Sequence, residues 1–247
     1  MLNIERLLII MELTLQDVLQ RNYFLSPSPS QFTEISIPVP PTPGISGLPA
    51  RCYFDISTKF NAIQKQEIIY TLGATLFNWS FHCTQKWSGG SNTGVSQLAS
   101  CTNIYATKNL KPTWYRGTPI TNGRKATEVA MDQFTQMIKD NGFRRSPPAR
   151  IFYSIPAPIT TSYILGTTAF NQVNVPLSFV INPRELDNLS GTAFPLIGSM
   201  FHAWLHRAGF SDPKTTSYFI SECTMCVMRG FQPKTSVPDS YFYRFFD

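Results

Sequence analysis

The chain is poor in the residues that usually advertise a function. Of 247 residues only 3 are histidine. Any imidazole chemistry therefore falls on His82, His202 or His206. Charged residues make up 15% against 43% hydrophobic. That balance excludes a disordered chain and provides for a real core. The net charge of +6 comes from scattered residues, the densest pair being Arg144–Arg145. A nucleic-acid-binding stripe needs a denser basic run, so no nucleic-acid partner is expected. No apolar run reaches the length of a membrane span. Leu7-Leu8-Ile9-Ile10-Met11 is short and flanked by Glu5, Arg6 and Glu12, which is unlike a signal peptide. Five cysteines are an odd number, so at least one thiol lacks an intrachain partner. Cys83 and Cys101 flank a Gly/Ser-rich stretch and could close a surface loop. Asn78-Trp79-Ser80 and Asn188-Leu189-Ser190 match the glycosylation acceptor pattern of a eukaryotic secretory route.

What the chain does have is periodicity and punctuation. Leu7, Leu8, Met11 and Leu15 give residues 1–22 the spacing of an amphipathic helix. Residues 25–50 hold seven prolines and read as an extended wrapping segment, with the main domain starting at Arg51. Cys52 to Ile56 reads as a strand. A long helix follows over 61–81, with Ile63, Ile68, Leu72, Leu76 and Trp79 on one face. Thr102 to Ala106 is a strand candidate within a Gly/Ser/Thr/Asn-rich region. A second helix is expected over 125–141, closed by Asn141-Gly142. Arg150–Ile155, Tyr163–Thr168 and Pro176–Ile181 are further strand candidates. A third helix covers 192–208, with Phe194, Ile197, Phe201, Trp204 or Leu205, and Ala208 in phase. The tail, 231–247, has aromatics but no period.

The chemistry concentrates on the third helix. His202 and His206 are four apart, so one helical face carries both imidazoles one turn apart, in reach of one ion. Gly209 can adopt the left-handed conformation that ends a helix sharply. Asp212 lies three residues further on and can supply a third ligand from the returning chain.

The string His202-Ala203-Trp204-Leu205-His206-Arg207-Ala208-Gly209-Phe210-Ser211-Asp212 resembles the metzincin zinc-protease motif H-E-x-x-H-x-x-G-x-x-H/D. Its Asp-ended form is similar to the small secreted snapalysin-type proteases. The resemblance implies an α/β (in some schemes α+β) zincin-like fold, a twisted mixed sheet with three main helices. It divides the chain into the N-terminal helix and wrapping segment, 1–50, and a metalloprotease domain, 51–247. It also implies Zn2+ held by His202, His206 and Asp212, a protein or peptide substrate, and action outside the producing cell. In that family a methionine turn lies beneath the metal, and Met225 or Met228 stands at a suitable distance downstream. No tyrosine follows either methionine at the family's spacing; Tyr218 is the nearest. A sheet-edge strand holds extended substrate in such enzymes, a part that 176–182 or 163–168 would play here.

One position departs from the pattern. Where the family has its general base, this chain has Ala203. A methyl group cannot accept or deliver a proton, and loss of a positioned acid–base group costs about 10²–10⁴-fold in rate. The expected protein is a zinc metalloendopeptidase that keeps its metal and has lost its chemistry. A deliberate Glu-to-Ala inactivation and a natural pseudoenzyme both fit. The sparing of every other motif position favours the first. A rival reading pairs the histidines with Cys223 and Cys226 as a closed structural zinc in a binding module. That reading leaves Gly209 and Asp212 without a purpose. A metal-free adhesion or toxin-like protein is compatible with the composition, but no motif points to it.

Overall fold

The computed structural model describes residues 31–141, 149–156, 164–165, 178–187, 194–234 and 236–246. The amphipathic reading of 1–22 and the acceptor site at Asn188 lie outside them. Helix α1 (Ala62–Lys86) begins at Asn61 with a capping box. The Asn61 side chain accepts from Gln64 N at 2.9 Å, and Gln64 Oε1 accepts from Asn61 N at 3.1 Å. Two of the unsatisfied first-turn donors are thereby met, which sets the helix start. Ile68, Leu72, Leu76 and Trp79 are buried as the periodicity requires, whereas Ile63 is 73% exposed and belongs to the outer face. The acceptor pattern at Asn78 lies inside this helix, and its Ser80 is buried against Thr42 Oγ1 at 2.9 Å.

Helix α2 (Gln97–Tyr105) occupies the place where a strand was expected from Thr102 to Ala106. Ser96 decides the matter. Its Oγ accepts from Ala99 N and also meets His82 Nδ1 of α1 at 2.7 Å. The cap starts the helix and ties it to α1, and that outweighs the mild β preference of Thr102 and Ile104. Helix α3 (Gly123–Asn141) buries Ala126, Ala130, Phe134 and Ile138.

Five strands form one mixed sheet among the described residues: β1 (Phe32–Pro38), β2 (Arg51–Ser57), β3 (Ala149–Tyr153), β4 (Ile164–Leu165) and β5 (Phe179–Ile181), in the order β1-β2-β3-β5-β4. The β1/β2 and β4/β5 pairs are antiparallel, and β2/β3 and β3/β5 are parallel. The fold is thus mixed α/β. Strand β1 comes from the segment before Arg51. Ile35 pairs with Phe54 and Ile37 with Cys52, so this part of the Pro-rich stretch is built into the sheet. Ile35 and Ile37 alternate inward with a period of two, and the edge position tolerates Pro38.

Four further helices complete the order: α4 (Pro183–Asp187), α5 (Phe194–Arg207), α6 (Phe219–Met228) and α7 (Asp239–Tyr243). The three main helices expected are α1, α3 and α5, and four more are described beside them. Helix α5 is buried along nearly its whole length, from Leu196 to Leu205. It packs on α3 through Phe134, whose ring meets Phe201 at 5.1 Å and Trp204 at 5.8 Å. Phe194, at its start, is 53% exposed and lies off the core face. Every residue of α6 is buried, and Cys226 bridges to Cys101 of α2. The surface-loop pairing of Cys83 with Cys101 is therefore corrected: Cys83 is free and buried. No helix among the described residues is long and apolar enough to cross a membrane.

Candidate metal centre

The candidate site forms where α5 ends. Gly209 N–H donates to His206 O at 2.9 Å, and Phe210 N–H donates to Leu205 O at 3.1 Å. These are the paired bonds of a Schellman motif, which satisfy the last carbonyls and turn the chain back. Gly209 has φ +90, as the motif needs. A side chain there would also collide with the Trp114 ring, since an added Cβ would lie 2.5 Å from Cδ1. Only glycine meets both demands.

The turn brings Asp212 back to the helix face. His202 Nε2 lies 3.1 Å from His206 Nε2. Asp212 Oδ1 is 3.6 Å from His202 Nε2, and Oδ2 is 3.7 Å from His206 Nε2. One ligand atom from each of the three lies within 4.8 Å of the others. Tetrahedral zinc with ordinary bond lengths holds its ligand atoms about 3.3 Å apart. The spacing is near that value before any ion draws the groups together.

The nitrogens also face the right way. His206 Nδ1 meets Phe210 O at 3.1 Å. A carbonyl only accepts, so Nδ1 carries the hydrogen, and in the neutral ring Nε2 is left with a lone pair. This carbonyl support of a ligating imidazole is the usual outer arrangement of metal histidines. That lone pair lies 3.1 Å from His202 Nε2, where it accepts an N–H from the second ring or shares an ion with it. The residues present therefore fit a divalent ion with nitrogen and carboxylate ligands.

A second loop holds the Asp212 arm in place. Thr107 and Lys108 N–H both donate to Ser217 O at 2.8 Å, and Phe219 N–H donates to Lys108 O at 3.0 Å. Ser217 adopts φ 73 to aim that carbonyl, with its own N–H bound to Glu222 Oε1 at 2.8 Å. Thr113 N–H donates to Gly209 O at 2.9 Å, and Trp114 Nε1 donates to Ala208 O at 2.6 Å. The ligand loop is therefore clamped at both ends by residues 107–114. Sequence reading missed this loop, because it has neither period nor motif.

The histidines differ in burial. His202 is fully buried, and its ring lies flat on Phe246, with centroids 4.5 Å apart and planes 5° apart. Ala203 is also fully buried, within the core. His82 is remote from this chemistry. It is buried against Ser96, and burial, aided by Lys86, lowers its pKa to about 3.

Met225 and Met228 do not form a turn. Both lie on α6, Met225 fully buried and Met228 at the last residue, packed against Gly198 of α5. Tyr218 precedes that helix, with the Lys108 ammonium 5.5 Å above its ring. The four-ligand set His202, His206, Cys223 and Cys226 is not assembled. Cys226 is spent in its disulfide, and Cys223 is fully buried, which pushes its thiol up to about 12. Of the two candidate substrate strands, β5 is paired on both sides, and β4 stands last in the described sheet. Comparisons with protein-family models, curated proteins and solved structures find no match to this chain.

Proposed function

We propose that this chain is a metzincin-like zinc metalloendopeptidase domain whose peptide-bond chemistry is disabled at position 203. The observation that carries the reading is the convergence of His202, His206 and Asp212 around the Gly209 turn. Two histidines one turn apart are common on helices. A Schellman turn that returns a carboxylate to the same two nitrogens is a far more specific arrangement. Zinc held there would polarise a scissile carbonyl as a Lewis acid. Ala203 supplies no proton acceptor, so the protein binds metal and cleaves poorly. Protein or peptide is the substrate class of the active form, and the zincin-like arrangement of sheet and helices belongs to the same reading. The Cys101–Cys226 disulfide supports an oxidising, extracellular destination. We favour deliberate replacement of glutamate over a natural pseudoenzyme, because the helix, its cap and all three ligands are kept.

Elemental analysis of dialysed protein tests the reading. One zinc per chain, lost in the His202→Ala/His206→Ala double variant, is expected. The Ala203→Glu variant puts a carboxylate at a fully buried position, so its fold is checked first by near-UV circular dichroism; the folded variant should then cleave unfolded protein substrates about 10²–10⁴-fold faster than the Ala203 chain. Folded protein that takes up no zinc would sink the proposal.

A further inference from the structure

We infer that Phe246 is the positioning residue that fixes the His202 ring for metal binding, in the place where Met225 or Met228 was expected; this rests on the zinc reading above. The geometry is specific. A histidine binds a metal through a lone pair lying in the plane of its ring. A ring stacked face to face leaves that in-plane direction open while blocking rotation of the imidazole. Phe246 stacks on His202 with an interplanar angle of 5°, and both side chains are fully buried. His206 approaches the same ring edge-on, at 88°, from the side where the nitrogens meet.

The segment bearing Phe246 is anchored at several points. Phe246 N–H donates to Tyr243 O at 3.2 Å, and Phe246 O accepts from Lys214 Nζ at 3.2 Å. Ser199 Oγ, one turn before His202 on α5, donates to Phe245 O. Upstream, Asp239 binds Arg229 Nη2 at 2.5 Å and Lys234 Nζ at 2.5 Å. The Arg229 guanidinium lies 4.6 Å from the Phe242 ring centroid. Residues 239–246 therefore form a strap between the end of α6 and the metal face of α5. Lys214 comes from the loop that carries Asp212, so the strap touches both stretches that bear the candidate ligands, α5 and that loop. Neither methionine offers this. Met225 Sδ faces Arg229 Nη2 at 4.0 Å, and Met228 lies on Gly198.

Co2+ and Zn2+ titrations of the full chain test the role, with affinity set by chelator competition and site geometry read from the visible Co2+ spectrum. Phe246→Leu keeps apolar bulk and removes the flat face; Phe246→Trp keeps the face. Near-UV circular dichroism of the metal-free proteins, at a temperature where all are folded, separates a local effect from unfolding. Phe246→Leu should weaken metal binding about 10–100-fold and alter the Co2+ spectrum, as loss of a supporting partner does. Phe246→Trp should stay near the parent chain. A folded Phe246→Leu protein with unchanged affinity and spectrum would overturn the role of Phe246 and leave the zinc site standing. A parent chain that binds neither ion would overturn the zinc reading and this inference together.

Discussion

His202 and His206 sit one turn apart on the same helix, yet they are held by different physics. His206 is held locally: the Schellman turn at Gly209 presents Phe210 O to its Nδ1. His202 is held remotely, by a ring far downstream that reaches it only because α6 and the 239–246 strap are docked. Local support comes with the helix end itself. Remote support depends on every link between α6 and the body of the fold, so the two histidines should respond to different perturbations.

On the proposed zinc reading, removing a candidate ligand is the largest break. His202→Ala or His206→Ala should each abolish stoichiometric zinc, read by elemental analysis against the parent chain. Cutting the remote hold comes next. The Cys101–Cys226 bridge closes a loop with a sequence separation of 125. Replacing both cysteines by serine should cost about 3–5 kcal/mol, read from urea unfolding. Metal affinity should fall with it, since α6 carries the strap. The local hold is tested by Gly209→Ala. Positive φ alone costs an L-residue about 1–2 kcal/mol, and the Trp114 ring must also move. The urea midpoint and the zinc affinity should drop together, because Asp212 depends on that turn. Trp114→Phe keeps the ring face and loses the bond to Ala208 O, for about 0.5–1.5 kcal/mol.

The smallest effect is a pH dependence of the strap. Burial raises the Asp239 pKa, but hydrogen bonds from Lys234 and Arg229 outweigh it and hold the carboxylate below its ordinary value. A depressed folded pKa gives stability that is present above the unfolded pKa, about 3.9, and lost as pH falls through the folded value. Glu222 runs the other way. Its pKa is raised, first by burial, so its contribution is greatest in acid and fades as pH rises through the folded value. Urea midpoints measured against pH should show a weaker acid-side loss in Asp239→Asn than in the parent chain. An unchanged acid limb would show that Asp239 does not anchor the strap.

The candidate ligand set was legible because each step between its members is short. Helical phase aligns His202 with His206, and the loss of a Cβ at Gly209 permits the turn that returns Asp212. The long helices were legible for the same reason: an apolar stripe with a 3.6-residue period is a local signal. Their ends were less so. Strand β1 was hidden among prolines, although Ile35 and Ile37 alternate, and α2 was hidden by Thr102 and Ile104 until Ser96 proved to be its cap.

The short-range choices were thus made by the amino-acid order alone: where α1, α3 and α5 run, which histidines face one way, and where the chain can reverse. Only the tertiary structure decided that Cys226 takes Cys101, that Met225 and Met228 lie on a helix, and that Phe246 lies flat on His202. The physical reason is loop closure. Bringing distant residues together costs chain entropy that grows only slowly with separation, so spacing hardly discriminates between remote partners. Packing of the docked elements makes that choice.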